Sequence, residues 1–259
     1  MEGLLLKGAT MAERPLEGKV AIVTGAASPI GLGRVIALAL AEAGARIAML
    51  DIDRAGLDER LEELRGIAGP QSVLALVTDT SDPAAVDEAV KKTIAALGGL
   101  HIVVNNAGMH QGRAMGRRTL DVDFWEISPE LWNRIIAVNL SGPFFLARAA
   151  VGYLRAQKWG RIIGVTTSLD TMYRKGGSPY GPSKAAHEAF IATIAQDLEG
   201  SGVTANVLVP GGAANTNLIP EGAFDRSKLI QPEVMRAPAV WLASAASDGF
   251  NGRRLVAYH

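Results

Sequence analysis

The 259-residue sequence contains no cysteine. Disulfides, thiolate nucleophiles and cysteine-ligated metals are therefore excluded. Net charge is missing too, since 26 Lys and Arg balance 26 Asp and Glu. No basic run breaks that balance, so nothing electrostatic points to nucleic acid or an anionic membrane as a partner. Near the start, MEGLLLKGAT offers only Leu4 to Leu6 as an apolar run, far too short for a signal-peptide core or a membrane span. Histidine is scarce and scattered, with no HExxH spacing, so a bound metal is not expected. These absences lead to the expectation of a soluble, cytoplasmic protein. Met11 opens a second natural-looking start, MAERPLEGKV, and residues 1–15 read as a flexible extension.

What remains is ordinary globular material, 48% apolar and 20% charged, enough for one large α/β domain over residues 16–259. Short apolar runs alternate with helical patterns. The strand candidates are Lys19 to Thr24, Arg46 to Leu50, Ser72 to Val77, Ile102 to Val104, Arg161 to Thr166, Ala205 to Val209 and Arg254 to Ala257. The helix candidates are Gly33 to Ala43, Arg54 to Arg65, a helix opening at Asp82-Pro83, Pro129 to Gln157, Tyr180 to Glu199 and Pro232 to Ala245. Continuous apolar strands separated by helices predict a parallel sheet buried on both faces. Right-handed crossovers make it a doubly wound, Rossmann-type fold of about seven strands.

The first strand runs into Thr24-Gly-Ala-Ala-Ser-Pro-Ile-Gly31-Leu-Gly33 and then a helix. Strand, glycine-rich turn and helix is the context in which glycines let a backbone approach a pyrophosphate at a helix N-terminus. A glycine trio alone also occurs for purely structural reasons. Asp51 ends the second strand, where a carboxylate would accept hydrogen bonds from an adenosine ribose and repel a 2′-phosphate, which argues for NAD over NADP. The competing role for Asp51 is to cap the next helix, although Asp53 lies nearer the helix start. Asp79 ends the third strand and could meet an adenine edge.

Tyr180-x-x-x-Lys184 places a phenol and an ammonium on one helix face at a helix start. A lysine beside a tyrosine favours the phenolate and should lower a pKa that is otherwise about 10. Taken alone, the pair reads first as an ordinary surface pair on a helix.

Together, Thr24-Gly25…Gly31-Leu32-Gly33, Asp79, Asn105-Asn106-Ala107-Gly108, Asn139, Tyr180-x-x-x-Lys184 and Pro210-Gly211 resemble the short-chain dehydrogenase/reductase family in order and spacing, from about Leu16 to Val256. The resemblance implies hydride transfer between a nicotinamide and an alcohol or carbonyl, and a homotetramer or dimer. It implies a cofactor set of Gly25, Ser28, Ile30, Gly31, Leu32, Gly33, Asp51, Asp79, Thr80, Asn106, Ala107, Gly108, Tyr180, Lys184, Pro210, Gly211, Ala213 and Thr216. The catalytic set becomes Asn139, Thr167, Tyr180 and Lys184. Tyr180 acts as general acid or base, Lys184 lowers its pKa and hydrogen-bonds the ribose, and Asn139 supports a proton relay. The family usually has serine thirteen positions before the tyrosine. Here that count lands on Thr167, flanked by Thr166 and Ser168. Threonine keeps the hydroxyl but adds a methyl and stiffens χ1. Substrate contacts are expected from Thr167, Leu169, Tyr173, Tyr180 and His110.

The sequence departs from the family pattern in four places. The glycine turn is two residues longer than usual and contains Pro29, which has no N–H to offer. The segment between Gly108 and Ser128 is long and charged, and either covers the substrate or is a solvated insertion. Thr216 sits one position late. The ending Asn251-Gly-Arg-Arg lacks the usual Asp-Gly-Gly. The expected activity is an NAD-dependent alcohol dehydrogenase or carbonyl reductase. The alternatives are an NADP-dependent 3-oxoacyl-type reductase and a catalytically idle NAD(H)-binding protein.

Overall fold

A computed structural model describes residues Arg14 to Tyr258. Most of the expected N-terminal extension, residues 1–13, lies outside the described residues. Among them, seven strands form one parallel sheet in the order β3-β2-β1-β4-β5-β6-β7. The strands are β1 Val20–Thr24, β2 Arg46–Asp51, β3 Val73–Val77, β4 Ile102–Asn105, β5 Gly160–Val165, β6 Val203–Val209 and β7 Arg254–Val256. The sequence-based ranges differ from these by one or two residues.

The helices are α1 Leu32–Glu42, α2 Arg54–Ala68, α3 Pro83–Leu97, α4 Gln111–Ala114, α5 Pro129–Ile136, α6 Gly142–Ala156, α7 Leu169–Met172, α8 Tyr180–Asp197 and α9 Arg236–Ala243. Their starts follow local chemistry. The Asp53 carboxylate accepts the Gly56 N–H, Asp82 accepts Ala84 and Ala85 ahead of Pro83, and Ser128 accepts Leu131 ahead of Pro129. Two expected helices are interrupted. Pro129 to Ala156 is one continuous rod, but Ala137–Ser141 is a π-helical turn centred on Asn139. The run from Pro232 to Ala245 begins as a 3-10 turn, Pro232–Met235, and α9 already ends at Ala243.

Strand residues alternate between two cores, as period-two side chains must. Ala21 and Val23 face Ile36, Leu40 and Leu242 on one side. Val20 and Ile22 face Val86, Leu146 and Leu154 on the other. By length and composition the Pro129–Ala156 rod could cross a membrane. In this fold its Ile135, Leu146, Ala150 and Leu154 are buried within the protein.

Strand order reverses at β1 and β4, which pair through Ala21–Ile102, Ile22–Val103 and Val23–Val104. A doubly wound sheet binds ligands outside the carboxyl ends of its strands at such a point.

Candidate active site

Thr24, at the end of β1, ties the two switch-point strands together. Its hydroxyl donates to the Val104 carbonyl at 3.2 Å and accepts the Asn106 and Ala107 N–H groups, both at 3.0 Å. The Asn106 amide returns the link, donating to the Thr24 carbonyl at 2.8 Å and to Gly25 at 3.1 Å. Gly33 is required beside this knot, because a Cβ there would run into the Gly25 carbonyl oxygen and the Asn106 amide. That close approach brings the first turn of α1 down onto the end of β1. Gly31, the N-cap residue of α1, has no side chain to cap with, so the opening turn of α1 keeps N–H groups without a side-chain partner.

A cleft of about 340 Å³ opens over this helix start. Its walls include Gly25, Ser28, Gly31, Leu32, Asp51, Asp79, Thr80, Asn106, Ala107, Gly108, Tyr180, Lys184 and Thr216. Asp51 does not cap α2, a role taken by Asp53. One Asp51 oxygen accepts the Ala27 N–H at 3.0 Å and the other the Asp53 N–H at 3.1 Å. The carboxylate thus holds the lengthened glycine turn while facing the cleft. The Asp79 carboxylate accepts the Ser81 backbone and hydroxyl, at 2.9 and 2.6 Å.

Five residues expected at the cofactor do not line this cleft. Ile30 is 37% exposed and off the cleft, because the longer turn carries it outward. Gly33 positions α1 rather than lining the wall. Pro210 and Ala213 wall a neighbouring cavity, and Gly211, at φ +104°, packs against Tyr258 and Val256.

That neighbouring cavity, of about 140 Å³, shares Leu32, Thr166, Tyr180, Thr216 and Leu218 with the cleft. Thr167, His110 and Tyr180 line it, together with Leu120, Asp121, Thr171, Arg174, Ile219 and Phe224. Leu169 and Tyr173 do not. They are 50% and 80% exposed, and from this segment the cavity is lined instead by Thr171 of α7 and by Arg174 just beyond it. The sequence reading missed those two residues, and only a count along α7 could have found them. The charged insertion is divided between cavity wall and surface. Leu120 and Asp121 wall the cavity, while Arg117 pairs with Glu126 on the surface at 2.8 Å. Gln111 pins the segment by donating to the Gly176 carbonyl at 2.8 Å.

The three neighbouring hydroxyls have different partners. Thr166 donates to Glu188 at 2.5 Å. Ser168 caps α7, its hydroxyl 2.9 Å from that of Thr171. Thr167 lines the same cavity as Tyr180, and its hydroxyl is near enough to favour the phenolate. Gly181 lets α8 start against α7, since a Cβ there would meet the Met172 carbonyl.

Tyr180 and Lys184 are 7% and 3% exposed. Lys184 donates to the Val165 carbonyl at 2.9 Å. The expected lowering of the tyrosine pKa is not present. Burial pushes Tyr180 up to about 12, and only the Thr167 hydroxyl works against it. Burial also lowers Lys184 to about 8, opposed by the Glu188 charge. The Lys184 ammonium is spent on the Val165 carbonyl, and its charge is not among the causes that move Tyr180.

Asn139 is fully buried. Its carbonyl oxygen accepts the Met109 N–H at 2.7 Å, and its amide donates to the Met109 carbonyl and to Ser183, both at 2.9 Å. Ser183 in turn donates to the Tyr180 carbonyl at 2.7 Å. A Cβ on Gly108 would lie 3.5 Å from both Asn139 Oδ1 and Lys184 Nζ, an ordinary contact that places Gly108 beside both groups. The His110 ring lies 4.8 Å from that of Tyr180. Its Nδ1 accepts the Gly112 N–H at 3.2 Å, which leaves the proton on Nε2. Burial, with Arg174 nearby, lowers its pKa to about 4 and keeps it neutral.

A nicotinamide dinucleotide fits the residues of the cleft. Ser28 Oγ is buried without a hydrogen-bond partner beside an uncapped helix N-terminus, an arrangement suited to a phosphate. Residues 19–222 match the family described as short chain dehydrogenase. The 3-oxoacyl-(acyl-carrier-protein) reductase FabG of Thermotoga maritima is 30% identical over 247 residues, 92% of this chain and 95% of that protein. A 3-ketoacyl-(acyl-carrier-protein) reductase from Brucella melitensis, solved with NADH, superimposes with a TM-score of 0.81 at 26% identity, covering 93% and 97% of the two chains. A Beutenbergia cavernae protein described as an NAD(P)-dependent gluconate 5-dehydrogenase, with NADP at low occupancy, gives 0.81 at 28% identity, covering 95% and 97%. With the matched family model spanning most of the chain and the fold agreeing, this protein belongs to the short-chain dehydrogenase family of nicotinamide-dependent oxidoreductases.

Proposed function

We propose that the protein is an NAD-dependent alcohol dehydrogenase or carbonyl reductase, with residues 16–259 as its catalytic domain. The observation that carries this reading is Tyr180. It lines both the cofactor cleft and the adjoining cavity, with Thr167 beside it on the cavity wall and Lys184 one turn further along α8. A nicotinamide bound in the cleft supplies or accepts the hydride.

In reduction, Tyr180 donates its phenolic proton to the substrate oxygen, and in oxidation it takes that proton back. Thr167 donates a hydrogen bond to the same oxygen and orients it. Lys184 favours the phenolate only weakly in the protein alone. The cation of the oxidised cofactor is then the larger source of stabilisation for a deprotonated Tyr180. Asn139 and Ser183 hold the backbone around the Lys184 side chain in place. His110 stays neutral and offers Nε2–H toward the cavity.

Asp51 supports NAD over NADP, because its carboxylate faces the cleft where a 2′-phosphate would bring like charge. Ser28, Gly31 and the first turn of α1 would take the pyrophosphate. Apolar walls at Leu120, Ala213, Leu218, Ile219 and Phe224 favour a substrate with an apolar body beside its hydroxyl or carbonyl. The same reading makes the molecule a homotetramer or dimer, which sedimentation of the purified chain tests. The direct test of function is NADH formation with NAD and a panel of secondary alcohols, polyols, sterols and hydroxyacids. Turnover of at least one is expected. NAD binding with no turnover of any alcohol or ketone would leave a cofactor-binding protein instead.

A further inference from the structure

Three consecutive residues at the end of β5 are each held by a different side chain. The Val165 carbonyl accepts from Lys184 at 2.9 Å. The Thr166 hydroxyl donates to Glu188 Oε1 at 2.5 Å. The Thr167 carbonyl accepts from Arg254 Nη2 at 2.9 Å, while Arg254 Nε donates to that same Glu188 oxygen at 3.1 Å. Glu188 lies one helical turn beyond Lys184 and two beyond Tyr180, so the three share a face of α8. Arg254 opens β7, paired with Val207 of β6. The side chains of Arg254 and Glu188 are 29% and 18% exposed, and neither lines the cleft or the adjoining cavity.

A planar guanidinium with Nε fixed on a carboxylate has a fixed direction for Nη2. That direction is used on one carbonyl, that of Thr167, which lines the same cavity as Tyr180. Threonine has a stiff χ1, so turning the Thr167 backbone turns its hydroxyl with it. The Asn-Gly-Arg-Arg ending, which departs from the family pattern, therefore supplies a contact to the active-site loop.

We propose that Glu188 and Arg254 are a positioning pair that fixes the Thr167 backbone and thereby aims its hydroxyl at Tyr180 and the substrate oxygen. The proposal rests on the reading of Thr167 given above. Glu188 has a second consequence, because its charge favours the ammonium form of Lys184.

The test uses the full chain and whichever alcohol it oxidises. Arg254→Met, Thr167→Ala and the double variant are compared for kcat, KM and NADH affinity. Arg254→Met is expected to lower kcat about ten- to a hundredfold, the scale of a misplaced reacting group, with NADH affinity unchanged. In the Thr167→Ala background the same change should cost almost nothing more, because the hydroxyl it aims is already gone. Arg254→Lys, which can satisfy one partner but not both, should fall between wild type and Arg254→Met. If Arg254→Met does not fold, Glu188→Gln takes its place in the cycle, with the same lack of additivity expected. An equal loss in both backgrounds, or wild-type kcat in Arg254→Met, overturns the proposal. Full activity in Thr167→Ala alone also overturns it, but places the fault in the reading of Thr167 rather than in the pair.

Discussion

At the residue scale, chemistry depends on which of three adjacent hydroxyls is free to act. Thr166 is committed to Glu188 and Ser168 to the start of α7, which leaves Thr167 for Tyr180. Thr167→Ser should keep activity, since the donor oxygen survives. Thr167→Ala should lower kcat roughly a hundredfold or more, the range seen when one donor to a reacting oxygen is lost. Ser168→Ala should leave kcat nearly unchanged and cost about 1 kcal/mol of stability through the lost cap, measured by denaturant unfolding. A severe kcat loss in Ser168→Ala would move the third hydroxyl to position 168. The thirteen-position count made Thr167 legible in the sequence. The pKa of Tyr180 was not legible, because motif spacing shows the nearby lysine but not the burial that outweighs it. Leu169 and Tyr173 were misread for a related reason: sequence distance from the site says nothing about which face of α7 turns inward.

At the element scale, α8 carries most of the site on one face and a buried imidazole close by. His187 is fully buried with neither ring nitrogen hydrogen-bonded, packed near Gly164 of β5. Burial, reinforced by Lys184, lowers its pKa from 6.5 to about 3. The unfolded chain takes up a proton below pH 6.5 that the folded chain refuses until about pH 3. Stability is therefore fully present above the unfolded value and declines as the pH falls toward the folded one. The slope for this group approaches about 1.4 kcal/mol per pH unit. Urea unfolding at a series of acid pH values should show the decline, and His187→Leu should flatten it. An unchanged slope would assign the acid sensitivity to other groups. The strand and helix succession was legible because parallel strands are continuous apolar runs and the caps are explicit. The π turn at Asn139 was not, since it arises from a polar side chain turned inward to bond Met109, a long-range contact with no local signal.

At the scale of the whole molecule, the account predicts a cofactor preference set at one edge of the sheet. Wild-type protein should bind NAD at least about tenfold more tightly than NADP, the equivalent of roughly 1.4 kcal/mol of charge repulsion. Asp51→Asn keeps an oxygen for the Ala27 N–H and removes the charge, so the preference should narrow when both cofactors are titrated. Tighter NADP binding in the wild type would overturn the role of Asp51. Thr167, Tyr180 and His110 were legible as cavity walls, but Leu120, Thr171, Arg174 and Phe224 were not, because they come from separate segments that only the fold brings together.

The central claim is that Tyr180, shared by cleft and cavity, moves the proton. Turnover and NADH affinity of Tyr180→Phe, measured beside wild type on the best alcohol found, test it most directly. The account predicts that kcat falls by about a hundredfold or more, the usual contribution of a positioned acid or base, while NADH affinity stays near wild type. A Tyr180→Phe enzyme turning over within a few-fold of wild type would contradict it.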